Sequence, residues 1–286
     1  MNVHPAFLSQ RRKPRFKLPP GATDAHCHVF GPGDRFPYAP NRRYTPEDAR
    51  KEMLAALHAH LGIERAVIVQ ASCHGTDNRA MLDCIASDPK RYRGVAIVDD
   101  GFGEADYDRL DAGGVRGVRF NFVKHLGGAP DMAVFNRVID RIKGRGWHVV
   151  LHLDAPDIVP LSPMMRALPL PFVIDHMGRV PAAAGVDQPG LRALIELSAL
   201  ENCWIKVCGA ERISMPPYAA AVPIARALVE AAPTRVLWGT DFPHPNATHA
   251  ADEADLVDLV PQFAATPLAQ QRLLVDNPAR LYGFGS

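Results

Sequence analysis

"WHVVLHLD", residues 147–154, is the stretch whose reading decides the fold. Side chains of an extended chain point alternately to opposite faces. Val149, Leu151 and Leu153 therefore form one apolar row, while His148, Val150 and His152 share the other. Neither row suits water, so the segment reads as a strand buried on both faces, the habit of parallel sheets covered by helices. The first row faces the helices, and the two histidines point into an enclosed interior.

Seven further runs share this character: "ATDAHCHVF" (22–30), "RAVIVQAS" (65–72), "YRGVAIVDD" (92–100), "VRGVRFNF" (115–122), "PFVIDHMG" (171–178), "NCWIKVCG" (202–209) and "TRVLWGTDF" (234–242). Their length and β-branched content favour strands. Amphipathic helical patterns lie between them, among them "PEDARKEMLAALHAHLG", "NRAMLDCIASD", "MAVFNRVIDRIKGRG" and "PGLRALIELSAL". Eight strand–helix units without a shift in composition predict a single α/β domain, a (β/α)8 TIM barrel over residues 23–286. A doubly wound open sheet would normally have fewer strands and a glycine-rich phosphate loop after the first, which this chain lacks. Residues 1–22 read as an N-terminal arm. Its basic run Arg11, Arg12, Lys13, Arg15 and Lys17 is broken by Pro14 and followed by Pro19 and Pro20, which suggests a solvated lead-in to the first strand.

The chain of 286 residues balances 32 basic against 31 acidic side chains, for a net charge of +1. That balance argues against a nucleic-acid partner and against a membrane surface. The first twenty residues hold no secretory apolar core, and nowhere is there an apolar run long enough to span a bilayer. The cysteines Cys27, Cys73, Cys84, Cys203 and Cys208 are odd in number and include no CxxC pair, so they read as reduced thiols. A cytoplasmic location follows as an expectation. No apolar surface stripe stands out, which leaves a monomer or a small homo-oligomer.

Parity along each strand sorts the lumen. Asp24, His26 and His28 share one face of the first strand, opposite Ala25, Cys27 and Val29. Arg119 and Asn121 lie together with Val115 and Gly117 in the fourth, and Phe172, Ile174 and His176 in the sixth. Lys206 shares a face with Trp204 and Cys208, where it could pair with a carboxylate. In the last strand Leu237, Gly239 and Asp241 face inward. Polar residues concentrate at the C-terminal ends of the runs, where a barrel's active site forms. Three imidazoles (His26, His28, His152) and the carboxylate of Asp241 make a donor set for one divalent metal ion, zinc or manganese; the alternative is that His152 is a hydrogen-bonded lumen histidine and the site works without metal. His176 is placed for acid/base work or for orienting a carbonyl. Asp241 can take a proton from an attacking water. Arg119, Lys124, Arg179 and Arg212 form a cationic rim suited to a small anionic substrate, with neutral hydrogen bonds from Tyr44 and Ser72. His74, His125 and His244 read as surface residues of loops.

Several longer motifs add a resemblance. "TDAHCHVFG", "RRYTPEDA", "VIVQASCHGTDN", "GVRGVRFNFVK", "FVIDHMGR", "VLWGTDFPHPN" and the terminal "NPARLYGF" resemble the 2-pyrone-4,6-dicarboxylate lactonase family of the amidohydrolase superfamily. The resemblance implies a hydrolase that opens a carboxylated or sulfonated lactone ring in bacterial aromatic catabolism. It places His26, His28, His176 and Asp241 on catalytic positions, and Tyr44, Ser72, Arg119, Arg179 and Arg212 on substrate-binding ones. It also implies two departures: His125 stands where that family has arginine, and His152 where it has tyrosine. The family is a metal-independent branch of a largely metal-dependent superfamily. His152 restores a ligand position of the metal-binding relatives, and the loss of an arginine at 125 removes one carboxylate fork. Together they favour a related lactone, a muconolactone or a sulfonated one, opened with a bound divalent ion. The alternative within the same superfamily is a metal-dependent decarboxylase of an aromatic or muconate-type acid.

Overall fold

The computed structural model describes residues 11–247 and 249–285. Along the chain run β1 (Thr23–Cys27), α1 (Lys51–Leu61), β2 (Arg65–Val69), α2 (Arg79–Ser87), β3 (Tyr92–Ala96), α3 (Glu104–Ala112), β4 (Val115–Asn121), α4 (Met132–Ile142), β5 (His148–His152) and α5 (Ala155–Arg166). There follow β6 (Phe172–Ile174), α6 (Pro189–Ser198), β7 (Cys203–Lys206), α7 (Ala210–Ile213), α8 (Val222–Ala231), β8 (Val236–Leu237), α9 (Glu253–Phe263), α10 (Pro267–Gln271) and α11 (Asn277–Tyr282). All neighbouring strands pair in parallel in the order β1 to β8. The ends meet as well: Ala25 N donates to Trp238 O at 2.8 Å, and Asp241 N to His26 O at 2.8 Å. The sheet thereby closes into the expected (β/α)8 barrel, which leaves no open edge for another chain to pair with.

Two apolar layers hold the barrel. Val149, Leu151, Phe172, Ile174, Val236 and Trp238 pack outward among the helices. Val67, Val69, Val95, Val150, Val173, Trp204 and Leu237 fill the lumen's lower part, which Tyr282 of α11 and Phe284 close from below. At roughly 1.5–3 kcal/mol for each fully buried large apolar side chain, these layers provide the main driving force for folding. Chemistry is left to the other end of the lumen.

The N-terminal arm differs from the solvated lead-in that its composition suggests. Arg11 pairs with Glu253 at 2.6 Å, and Arg12 with Asp258 at 2.7 Å. Backbone amides of Arg15 and Phe16 both donate to Asp258 Oδ1, at 2.7 and 2.8 Å. The basic run is thus neutralised by the acidic face of α9. Residues 1–10 of the arm lie outside the described residues.

Candidate active site

Simple alternation fails in β1, and the failure shapes the site. Asp24 pairs with Ala66 but Cys27 with Ile68, so three steps on β1 match two on β2. This bulge re-aims side chains, as bulges commonly do next to active sites. Ala25 packs in the lumen and Cys27 among the helices, while Asp24 turns outward to His58 of α1 (3.2 Å). Asp24 therefore does not share a face with His26 and His28, contrary to expectation. Its Oδ1 accepts from the backbone amides of His26 and Thr240, both at 3.0 Å, and so ties β1 to the end of β8. Gly239 permits this close approach, because a Cβ there would lie 2.5 Å from His26 N.

His26 and His28 meet edge to face with ring centroids 5.0 Å apart. Both address Asp241: Oδ1 is 3.5 Å from His26 Nε2 and 3.3 Å from His28 Nε2. His176 reaches the other oxygen, with Nδ1 3.9 Å from Oδ2. Here too parity is overridden. Phe172 and Ile174 face the helices, so alternation alone would send His176 outward. Instead the chain enters the left-handed region at His176 and stays there through Arg179, with φ of 51° and 52° at these two residues. Non-glycine residues there cost roughly 1–2 kcal/mol each, and such outliers cluster at functional sites. Gly209 leaves the space that the turned ring fills, since a Cβ there would lie 2.9 Å from His176 Nδ1. Asp241 itself has φ 60°.

The residue that parity does point into the lumen is Asp175, which the reading of "FVIDHMGR" missed. Around its oxygens stand Lys206 Nζ (3.1 Å), Arg119 Nε (3.0 Å) and His26 Nδ1 (3.3 Å). Alternation from Val173, which packs in the lumen, was the signal that could have found it. Burial disfavours charge on Asp175, yet Lys206, His26 and Arg119 hold its carboxyl well below the usual range. Burial likewise opposes charge on Asp241, and Arg212 and His176 reverse that effect, so it too stays ionised. Arg212 Nε donates to Asp241 Oδ2, while its Nη1 donates to Pro245 O at 2.9 Å. Desolvation first, then the charge of Lys206, pushes His26 down to about 3. Burial also keeps His176 and His152 neutral. The ionised carboxylate of Asp241 therefore faces the neutral imidazoles of His26 and His176.

The other expected residues spread around this centre. His152 holds Asn121 Oδ1 through Nδ1 at 3.0 Å and lies 5.3 Å from the His176 ring. Among the described residues the ligand atoms of His26, His176 and Asp241 converge, as do those of Glu211, Asp241 and His244 and those of Asp24, Cys27 and His58; neither His28 nor His152 belongs to the first group. Arg179 is engaged by Asp154 at 2.8 Å. The Tyr44 hydroxyl lies against Ser72 and Cys73, and burial raises its pKa. Ser72 and Asn121 line a cavity of about 580 Å³ at the C-terminal mouth. Lys124 is exposed on the loop after β4, as is His125.

Two histidines read as surface residues are buried instead. His74 accepts from Gly31 N through Nε2 at 3.2 Å. His244 stands 3.4 Å from Glu211 and 3.4 Å from Glu253, and these two carboxylates raise it to about 10 against the opposing effect of burial. A line of alternating charge thus runs from Arg11 through Glu253, His244 and Glu211 to Arg212 and Asp241.

Whether the donors suit a metal ion is decided by their unmet valences. His28 donates its Nδ1 hydrogen to Val69 O at 2.8 Å, which leaves a lone pair on Nε2 facing a carboxylate oxygen. His26 Nε2 and Asp241 Oδ1 have no hydrogen-bond partner. Buried atoms of this kind, nitrogen and oxygen together, fit a borderline divalent cation.

The chain is 48% identical over 282 residues to a 2-pyrone-4,6-dicarboxylate hydrolase of Comamonas testosteroni, covering 94% of this chain and 92% of that one. It is 40% identical to a 4-sulfomuconolactone hydrolase of Hydrogenophaga intermedia, covering 94% and 91%. A solved structure from Pseudomonas putida, described as a candidate 2-pyrone-4,6-dicarboxylic acid hydrolase, superimposes with a TM-score of 0.82 at 33% identity over 94% of this chain and all of that one. The amidohydrolase family model matches residues 23–284, the whole of the barrel, and the chain belongs to the amidohydrolase family.

Proposed function

We propose that this protein is a cytoplasmic lactone hydrolase of bacterial aromatic catabolism, opening a small ring that bears carboxylate or sulfonate groups. The observation that carries the reading is the buried, ionised carboxylate of Asp241 set against three imidazoles at the mouth of a barrel. The names of the two curated relatives, both lactone-opening enzymes at 48% and 40% identity, support the substrate class.

In the proposed reaction Asp241 takes a proton from water as its oxygen bonds to the ring carbonyl carbon. The bond from that carbon to the ring oxygen then breaks, and Asp241 returns the proton to the leaving oxygen. Arg212 fixes the rotamer of Asp241. His28, locked by its bond to Val69 O, and His26, locked by Lys206 and Asp175, bound the position of the water. His176 faces the carbonyl and steadies the charge that develops on its oxygen. His26, His28, His176 and Asp241 would hold a divalent zinc or manganese ion, which would supply Lewis acidity to the carbonyl or to the water. In this ligand set His176 takes the place that spacing assigned to His152.

A panel of lactones, including 2-pyrone-4,6-dicarboxylate and 4-sulfomuconolactone, assayed for acid release and for carbon dioxide with and without chelator tests the reading. Acid release without carbon dioxide is expected. Stoichiometric carbon dioxide would replace the hydrolase with the decarboxylase.

A further inference from the structure

At the C-terminal end of β7 two alternate side chains, Lys206 and Cys208, each address a ring nitrogen of a site histidine. Lys206 Nζ lies 2.9 Å from Nδ1 of His26, and Cys208 Sγ lies 3.4 Å from Nδ1 of His176. The two rings stand 4.6 Å apart. Cys208 is a buried free thiol that the reaction described above does not use.

His176 is the one hydrogen-bond partner of this thiol among the described residues. A thiol keeps its hydrogen near neutral pH, and burial disfavours the thiolate further. Two tautomers of His176 compete for the contact. With hydrogen on Nδ1, the imidazole would donate to sulfur, a weak acceptor, and the S–H would lie buried without an acceptor. With hydrogen on Nε2, the thiol donates to Nδ1 and both groups are satisfied. An opposing pull comes from Asp241, whose Oδ2 is 3.9 Å from Nδ1. That is too long for a hydrogen bond, yet an ionised carboxylate at this distance attracts a hydrogen onto the nitrogen facing it. The thiol occupies Nδ1 against that pull. Gly209, the next residue, lets the ring come this close.

We propose that Cys208 is a positioning residue: its thiol holds His176 as the tautomer with hydrogen on Nε2, which presents a donor to the carbonyl oxygen of the lactone. The inference rests on the lactone reading for what that donor meets, while the tautomer itself does not depend on turnover. Strand β7 thereby supplies a donor to Nδ1 of both imidazoles. Without the thiol, hydrogen passes to Nδ1, and Nε2 turns a bare lone pair towards the substrate oxygen, which repels it. The assignment describes His176 with no ion on its ring; ligation through that ring would require the thiol or the Nε2 hydrogen to leave.

Nitrogen-15 spectra of the full chain, labelled in histidine and treated with chelator, read the tautomer directly, with His176→Gln identifying the His176 signals. Wild type should carry hydrogen on Nε2. Cys208→Ala should populate the Nδ1–H form, and kcat for lactone opening should fall at least about tenfold while KM changes less than about threefold. Cys208→Ser restores a donor and should keep both the wild-type tautomer and most of kcat. Hydrogen on Nδ1 in wild type, a serine variant as impaired as the alanine one, or an unmoved kcat beside a moved tautomer would overturn the proposal. The expected tautomers in a protein that opens no lactone would refute the hydrolase and keep Cys208 as the residue that sets His176. Wild-type tautomer and lactone opening in Cys208→Ala would remove the role of Cys208 and keep the hydrolase.

Discussion

Lys206 Nζ lies 2.9 Å from Nδ1 of His26, with both side chains fully buried. An ammonium can only donate, so Nδ1 accepts and the imidazole hydrogen resides on Nε2, facing Asp241. Lys206 thereby selects the His26 tautomer. Ligation of a metal by His26 Nε2 requires that hydrogen to leave and Lys206 to turn wholly to Asp175.

Lys206→Met should therefore change metal affinity and turnover in opposite directions. It removes a positive charge beside the donor set and frees the Nε2 lone pair, so added zinc or manganese should bind at least tenfold more tightly. Turnover should fall, because His26 loses its fixed orientation. Metal titration of wild type and variant, each stripped with chelator, measures the first effect without reference to activity. Equal affinity would show that Lys206 does not govern the His26 tautomer.

Asp24 and His58 form a joint between β1 and α1, outside the lumen. His58→Ala removes one donor from a buried carboxylate that keeps three others, from His26 N, Thr240 N and Thr240 Oγ1. A loss of about 1–3 kcal/mol is expected for a buried hydrogen bond with its cavity. Thermal unfolding should report that loss while kcat/KM stays within about twofold of wild type, because His58 reaches no atom of the site. A large fall in kcat at full occupancy of the folded state would instead give the joint a part in catalysis.

The acid and alkaline limits of stability should have separate sources. His148, buried in the lumen where Gly117 makes room for its ring, is driven by desolvation from 6.5 down to about 3. Unfolded chains then bind more protons than folded ones between these values, so stability is complete above 6.5 and drains away as pH falls towards 3. His244 has the opposite sign. Its value rises from 6.5 to about 10, so its contribution is complete below 6.5 and is lost as pH climbs through 10. Melting temperatures across pH should flatten on the acid side in His148→Leu and on the alkaline side in His244→Gln. An unaltered profile in either variant would assign that limb to other groups.

How much of this was legible in the sequence depends on where the backbone stays regular. Strict alternation in "WHVVLHLD" correctly separated Val149 and Leu151 from His148 and Val150, and "WIKVCG" correctly turned Lys206 into the lumen towards a carboxylate. With eight such runs the barrel could be read without coordinates. Alternation misled where the chain departs from a plain strand: the β1 bulge reversed Asp24, and the left-handed turn after β6 carried His176 to Asp241 although alternation from Ile174 would send it outward, while Asp175 stayed on the lumen face. Neither departure has a signature in residue type alone, since histidine and aspartate gave no warning of a positive φ or an inserted residue. Pairing partners were equally hidden. An arginine at a strand end looks the same in sequence whether it awaits a substrate or is bound to Asp175. The buried loop histidine His244 escaped notice because its two carboxylates, Glu211 and Glu253, lie far from it along the chain.

Asp241 is the proposed base that activates water for lactone opening. Asp241→Asn keeps the shape of the side chain and removes its charge, so the substrate should still bind. The decisive measurement is the single-turnover rate of ring opening, on the lactone that wild type opens fastest, with binding of the same lactone followed in parallel. A rate reduced at least a thousandfold (about 4 kcal/mol at the barrier) is expected, with affinity changed less than tenfold. Ring opening by Asp241→Asn within tenfold of wild type would contradict that role.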